Sequence, residues 1–180
     1  LYILSRGTVD GSALDGISAS NNGMSGNNGL NNNGYGAYID NAGGAGTVTL
    51  SSTGSPSAFN GNYYTGLQVN STGSITVESI TANGNGAGAT ATATTGYGAY
   101  LNTVSGNVTV GDAGMTGNSF NANYSTGLPI VTAGTVSITN VTASNNGSAL
   151  DPTVGYGAYI DNSSGTNDVT LLGANVFDNN

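Results

Sequence analysis

The 180-residue chain contains no cysteine, histidine or tryptophan, and Arg6 is its only basic side chain. Each absence removes a class of chemistry. Without cysteine there is no disulfide and no thiolate nucleophile, although that alone does not fix a compartment. Without His or Cys a zinc or iron centre has nothing to build on, and a serine nucleophile has no imidazole base. One basic residue cannot displace the counterions of a phosphate backbone, so nucleic acid is not an expected partner. An anionic membrane surface is disfavoured on the same ground. No apolar run approaches the roughly 18 residues of a membrane-spanning helix, and none reads as a secretory leader. Leu1 is not an initiator methionine, so a processed product or a piece of a longer chain is expected. Only 6% of residues are charged, and the net charge of −8 reflects missing bases more than abundant acids. Trypsin-like proteases would find a single target, Arg6.

What is present is glycine, with 31 residues, and 37% hydrophobic residues set among Asn, Ser and Thr. So polar a composition could belong to a disordered chain, but the apolar residues are placed periodically. The phrase Gly-Tyr-Gly-Ala-Tyr occurs at Gly34–Tyr38, Gly96–Tyr100 and Gly155–Tyr159. Thr65-Gly66-Leu67 returns as Thr126-Gly127-Leu128, and Phe59-Asn60-Gly61-Asn62-Tyr63 as Phe120-Asn121-Ala122-Asn123-Tyr124. The segment opening at Ile17 is echoed at Ile80 and Val141. The long period is about 60 residues, which divides the chain into repeats of about 1–66, 67–127 and 128–180.

Each long period holds two shorter units. Thr47–Leu50, Ser74–Val77, Asn107–Val110, Thr135–Ile138 and Asp168–Leu171 all alternate polar and apolar residues. That is the period-two signature of a strand with one buried face. Ser12–Leu14 is a weaker match that supplies a sixth unit. Gly, Asn and Ser clusters separate the strands and mark turns, and no stretch has a helical apolar stripe. Three short strands per coil, repeated without helices, predict an all-β parallel β-solenoid of about six coils of roughly 30 residues each. The Asn-Gly pairs also suit an antiparallel hairpin protein, which has no reason to echo itself coil by coil.

Stacking places equivalent residues over one another. Val48, Ile75, Val108, Val136 and Val169 form one expected inward column, and Leu50, Val77, Val110, Ile138 and Leu171 another. A third alternates small and large: Ala37, Leu67, Ala99, Leu128 and Ala158. Asn60, Asn83, Asn121 and Asn145 are expected to form an amide ladder at a turn. With Ala37 and Ile39 inward, Tyr38 faces out, as do Tyr100 and Tyr159. Tyr35, Tyr97 and Tyr156 fall at the turn, where their rings would lie over the core, and Gly34 and Gly36 would steer the chain into the strand.

No catalytic constellation is legible. Glycoside hydrolysis needs two carboxylates facing each other across a cleft, but Asp10, Asp15, Glu78, Asp112, Asp151, Asp168 and Asp178 fall on different turns. The Gly-rich run from Asn83 to Gly88 lacks the lysine of a phosphate loop. A calcium site would have to use Asp and Asn; Asp40 and Asp161 are equivalent positions, yet Asn102 takes the slot between them. No enzyme activity, metal or other cofactor is expected. Asn70, Asn107, Asn123, Asn140, Asn146 and Asn162 open Asn-x-Ser/Thr sequons, a common chance event in such a composition.

The run Gly134–Asn145, Gly-Thr-Val-Ser-Ile-Thr-Asn-Val-Thr-Ala-Ser-Asn, resembles the coils of right-handed parallel β-helix repeats in large bacterial cell-surface and adhesin-like proteins. The resemblance covers nearly the whole chain. It implies a right-handed, pectin-lyase-like solenoid in an extracellular setting. The catalytic Arg, Lys or His and acid clusters of that superfamily's pectin-degrading members have no matching positions here.

Three functions are then expected, in order. The first is a non-enzymatic fibre, filament or stalk segment that stacks end to end, self-associating head to tail or through neighbouring repeats, with Leu1, Ile3 and Phe177 at the junction. The second is an adhesin module that grips glycans through Tyr38, Tyr100 and Tyr159. The third is an ice-binding face formed by the outward Thr-x-Thr pairs, whose regularity Asn107 and Asp168 interrupt.

Overall fold

The computed structural model describes residues 1–23, 34–86, 95–112, 114, 117–147 and 155–180; Asp151, Ala87 and Gly88 lie outside them. Among the described residues every regular element is a strand, and every pairing is parallel. The first sheet stacks β1 (Tyr2–Leu4), β3 (Ala37–Asn41), β6 (Leu67–Ser71), β9 (Ala99–Thr103), β12 (Leu128–Val131) and β15 (Ala158–Asp161). The second stacks β2 (Val9–Leu14), β4 (Val48–Ser52), β7 (Ile75–Glu78), β10 (Val108–Val110), β13 (Val136–Thr139) and β16 (Val169–Leu172). The third has only β5 (Ser57–Ala58), β8 (Ile80–Thr81), β11 (Asn118–Ser119) and β14 (Val141–Thr142). The chain is therefore an all-β parallel solenoid. On the third face the first and last coils pair as the isolated bridges Ser18↔Ala58 and Thr142↔Val176 rather than as strands. The six coils expected become four complete turns with a partial turn at each end.

The inward columns follow the alternation. Val48, Ile75, Val108, Val136 and Val169 lie in register, as do Leu50, Val77, Val110, Ile138 and Leu171. Only the first coil departs from the expected alignment. There Val9, Asp10 and Gly11 pair with Val48, Thr49 and Leu50, and the register slips before Leu14 meets Ser52. The first coil's equivalent of Val48 is thus Val9 rather than a residue of Ser12–Leu14. Gly11 takes a leucine position, which hid the match.

The third face explains the two-coil period. Its backbone ladder runs Ala19 to Ala58, Phe59 to Thr81, Ala82 to Ser119, Phe120 to Thr142 and Ala143 to Val176. This sets Ala19, Phe59, Ala82, Phe120, Ala143 and Phe177 in one column. On the first sheet the matching column reads Leu1, Ala37, Leu67, Ala99, Leu128 and Ala158. Every coil thus joins one small and one large residue across the core: leucine with alanine, then alanine with phenylalanine. Phe59 and Phe120 are the largest fully buried side chains. Alternation keeps the summed core volume nearly constant from coil to coil, as close packing requires. The alanine of Gly-Tyr-Gly-Ala-Tyr marks each phenylalanine coil.

The second glycine of that phrase is a matter of approach between backbones. A Cβ on Gly36, Gly66, Gly98 or Gly127 would sit 2.4–2.6 Å from a carbonyl oxygen. At Gly36 and Gly98 that oxygen belongs to the glycine one coil on, and in all four cases the Nδ2 of an asparagine lies 2.6–2.7 Å away. No side chain fits in that gap.

Candidate functional site

Those asparagines form the most regular polar feature of the molecule. The backbone N and the Nδ2 of Asn22 both donate to Oδ1 of Asn62, at 3.0 and 2.9 Å. Asn62 does the same to Asn85, Asn85 to Asn123, Asn123 to Asn146 and Asn146 to Asn180, all within 2.9–3.0 Å. A second column runs beside it, in which Asn83 N donates to Asn60 Oδ1, Asn121 N to Asn83 Oδ1 and Ser144 N to Asn121 Oδ1. Here Ser144 stands where Asn145 was expected. Asn145 lies between the columns with a φ of 57°, as do Asn21, Gly61, Gly84, Ala122 and Asn179 in their coils. One left-handed residue between the columns aims both flanking side chains along the stack. The sequence signal for the stronger ladder is asparagine at one turn position of all six coils.

Both ladders have a direction, so the two ends of the solenoid differ. The last coil presents the donors of Asn180, and the first presents the acceptor Oδ1 of Asn22. The apolar columns run out into solvent at the same end: Leu171 is 55% exposed, whereas its equivalent Ile138 is fully buried. Ala158, Ile160, Leu171 and Phe177 line an apolar recess of about 440 Å³ there. At the other end Leu1 is about half exposed and Ile3, paired with Ile39, is half-buried. The structure therefore places Leu1 and Ile3 at one end and Phe177 at the other.

On the outer face of the first sheet, register aligns Tyr2, Tyr38, Gln68 and Tyr100, then Pro129 and Tyr159. Tyr38 and Tyr100 point outward over buried neighbours, and Tyr159 is 46% exposed. The turn tyrosines Tyr35 and Tyr97 are half-buried, and Tyr156 is exposed. Each pairs with the strand tyrosine three residues on: Tyr35 with Tyr38 at 5.5 Å between centroids, Tyr97 with Tyr100 at 5.7 Å and Tyr156 with Tyr159 at 5.8 Å. Tyr2 stacks on Tyr38 at 5.4 Å. Beside the rings runs a row of Asp40, Asn70, Asn102, Val131 and Asp161, polar except at Val131; within it Asn70 Nδ2 donates to the Tyr38 hydroxyl at 3.3 Å.

Burial raises the hydroxyl pKa of Tyr35, Tyr38, Tyr97 and Tyr100, with neighbouring rings and, at Tyr38, Asp40 adding to it at three of them. The folded protein holds these protons more tightly than the unfolded chain, whose phenols titrate near pH 10. Their contribution to stability is complete below that pH and is lost as pH rises past it. Thermal melts from about pH 8 to about pH 11 should show a steady fall in Tm only above about pH 10. The Phe variants of Tyr35 and Tyr97 should flatten that fall.

The acids brace turns. Asp40 Oδ1 accepts from the Ala42 N–H at 3.0 Å, and Asp161 Oδ1 accepts from the N–H and Oγ of Ser163. Those Ser163 bonds, the side-chain one foremost, hold the Asp161 carboxyl below the usual carboxylate range. Glu78 accepts from Ser51 Oγ at 2.7 Å. Among the described residues no three acidic, His or Cys side chains gather where a metal ion could be held, and no helix is long and apolar enough to cross a membrane. Two sequon residues, Asn123 and Asn146, are buried with their amides committed to the ladder. On the second sheet Thr49, Thr76, Thr109, Ser137 and Thr170 share an outward column. In the adjoining column Ser74 and Asn107 accept from the N–H of Asn107 and Thr135.

No protein-family model, curated protein or solved structure matches the chain. Its character rests on the stack itself.

Proposed function

We propose that the chain is a segment of a non-enzymatic extracellular fibre or stalk, its coils continued head to tail by those of a second copy. The observation that carries this reading is the complementarity of the two ends. The donors of Asn180 find their acceptor in Asn22 of the next copy, as Asn146 donates to Asn180 within the chain. The packing alternation agrees: the last coil, with Ala158 and Phe177, is followed in sequence of volumes by a coil of the Leu1 and Ala19 kind. Joining two last coils would set phenylalanine coil against phenylalanine coil and donor against donor, and joining two first coils would set leucine coil against leucine coil and acceptor against acceptor. A heterologous contact of this kind does not close on itself and yields open filaments. It also covers sheet edges that would otherwise template other pairings. The likeness to bacterial cell-surface repeats supports the extracellular setting.

Electron microscopy across a concentration series tests this. Rods whose lengths are multiples of about 29 Å, six strand spacings, are expected. Leu171→Glu, which charges an apolar column only where it is already exposed, should leave single particles. Wild-type particles of one coil-stack length at every concentration would sink end-to-end assembly.

A further inference from the structure

The tyrosine face carries an inference independent of the ends. We propose that it binds a neutral, linear polysaccharide laid along the solenoid axis. The tyrosine pairs recur on every second coil, so successive pairs stand about 9.6 Å apart, two strand spacings. Between the first two pairs lies a cleft of about 270 Å³ lined by Tyr35, Gln68, Tyr97 and Tyr100. Its walls are aromatic and Gln68 brings an amide between them. Register puts Asn70 beside Gln68 and Asn102 beside Tyr100 along the same strands.

A pyranose ring has an apolar C–H face and a rim of hydroxyls. Aromatic rings suit the face, and amides that both donate and accept suit the rim. A comb that repeats every second strand fits a polymer whose chemical repeat is two sugars, with alternate rings on tyrosine and their neighbours over the smaller Gln68 or Pro129. Charge selects within that class. Asp40 and Asp161 stand in the row beside the rings, and the chain's one cationic side chain, Arg6, is confined to the first coil. Uronates and sulfated glycans would meet like charge without a counter-ion, so the ligand is uncharged.

The test is titration calorimetry with cellohexaose, chitohexaose and xylohexaose, their disaccharides, and an oligogalacturonate. At least one neutral hexasaccharide should bind saturably and about tenfold or more tighter than its disaccharide. Tyr100→Ala should weaken it about tenfold, and Tyr100→Phe should hold it within about threefold. Circular dichroism and melting would verify that both variants stay folded, and the length dependence needs no variant at all. No binding by any neutral probe, equal affinity for hexamer and dimer, an unaffected Tyr100→Ala protein, or preference for the oligogalacturonate would each overturn the proposal. None of these outcomes bears on end-to-end stacking, which is read by particle length.

Discussion

Asn85→Ala is expected to destabilise the solenoid by about 4 kcal/mol, since each buried hydrogen-bonding group left without a partner costs about 1–3 kcal/mol. The side chain accepts from both the backbone N and the Nδ2 of Asn62, and its own amide donates to Asn123. Asn62 is fully buried, so water cannot replace the lost acceptor. Alanine thus strands two donors on one side and removes a donor from Asn123 on the other. Asn70→Ala is the control: its side chain bonds the Tyr38 hydroxyl at 3.3 Å on the half-exposed outer face, and a change within about 0.5 kcal/mol is expected. Urea unfolding separates the two. A loss below about 1 kcal/mol for Asn85→Ala would mean that the ladder is incidental to stability.

Gly98→Ala should be as severe, at about 3 kcal/mol or more, because overpacking against fixed groups forces the backbone to move. The added methyl would sit 2.4 Å from the Gly127 carbonyl oxygen, 2.7 Å from Asn123 Nδ2 and 2.9 Å from the Ala82 carbonyl oxygen. The first two belong to the ladders that join coils, so relief at one spreads to its neighbours. Gly7 makes the opposite case, since a Cβ there meets nothing within 4 Å. Gly7→Ala should melt like the wild type. If Gly98→Ala also melts like the wild type, the coils are not held as closely as described.

Much of this architecture was legible in the sequence, because strand alternation writes inward residues directly. The columns through Val48, Leu50 and Ala37 follow from period two and the repeat alone. The first coil's alignment is not legible, because Asp10 and Gly11 interrupt the apolar pattern that Val9 begins. The turn chemistry was harder to read. Several turns carry two or three asparagines, and which of them points along the stack depends on the left-handed residue between them, as at Ala122 and Asn145. The sequence shows alternating packing volume on one face, but its partner column of alanine and phenylalanine emerges only when the third face is stacked. For the tyrosines, alternation gave the outward direction of Tyr38, Tyr100 and Tyr159. The pairing of each with the turn tyrosine before it needs the geometry of the turn.

The central claim is that one end of this stack continues the other, and one amide reads it most directly. Within the chain Val48, Ile75, Val108 and Val136 each donate their N–H to a carbonyl of the following coil. Val169 holds the same column in the last strand. Two copies joined through Tyr-Ser-Thr-Gly, the four residues that link Asn123 to Leu128, would bring Thr8 of the second copy over Val169 of the first. Hydrogen exchange at that junction Val169 should then slow to the rate of Val136, while Val169 of the second copy exchanges quickly. Equal, fast exchange at both would show that the coils do not continue across the junction, and the fibre reading would fail with it.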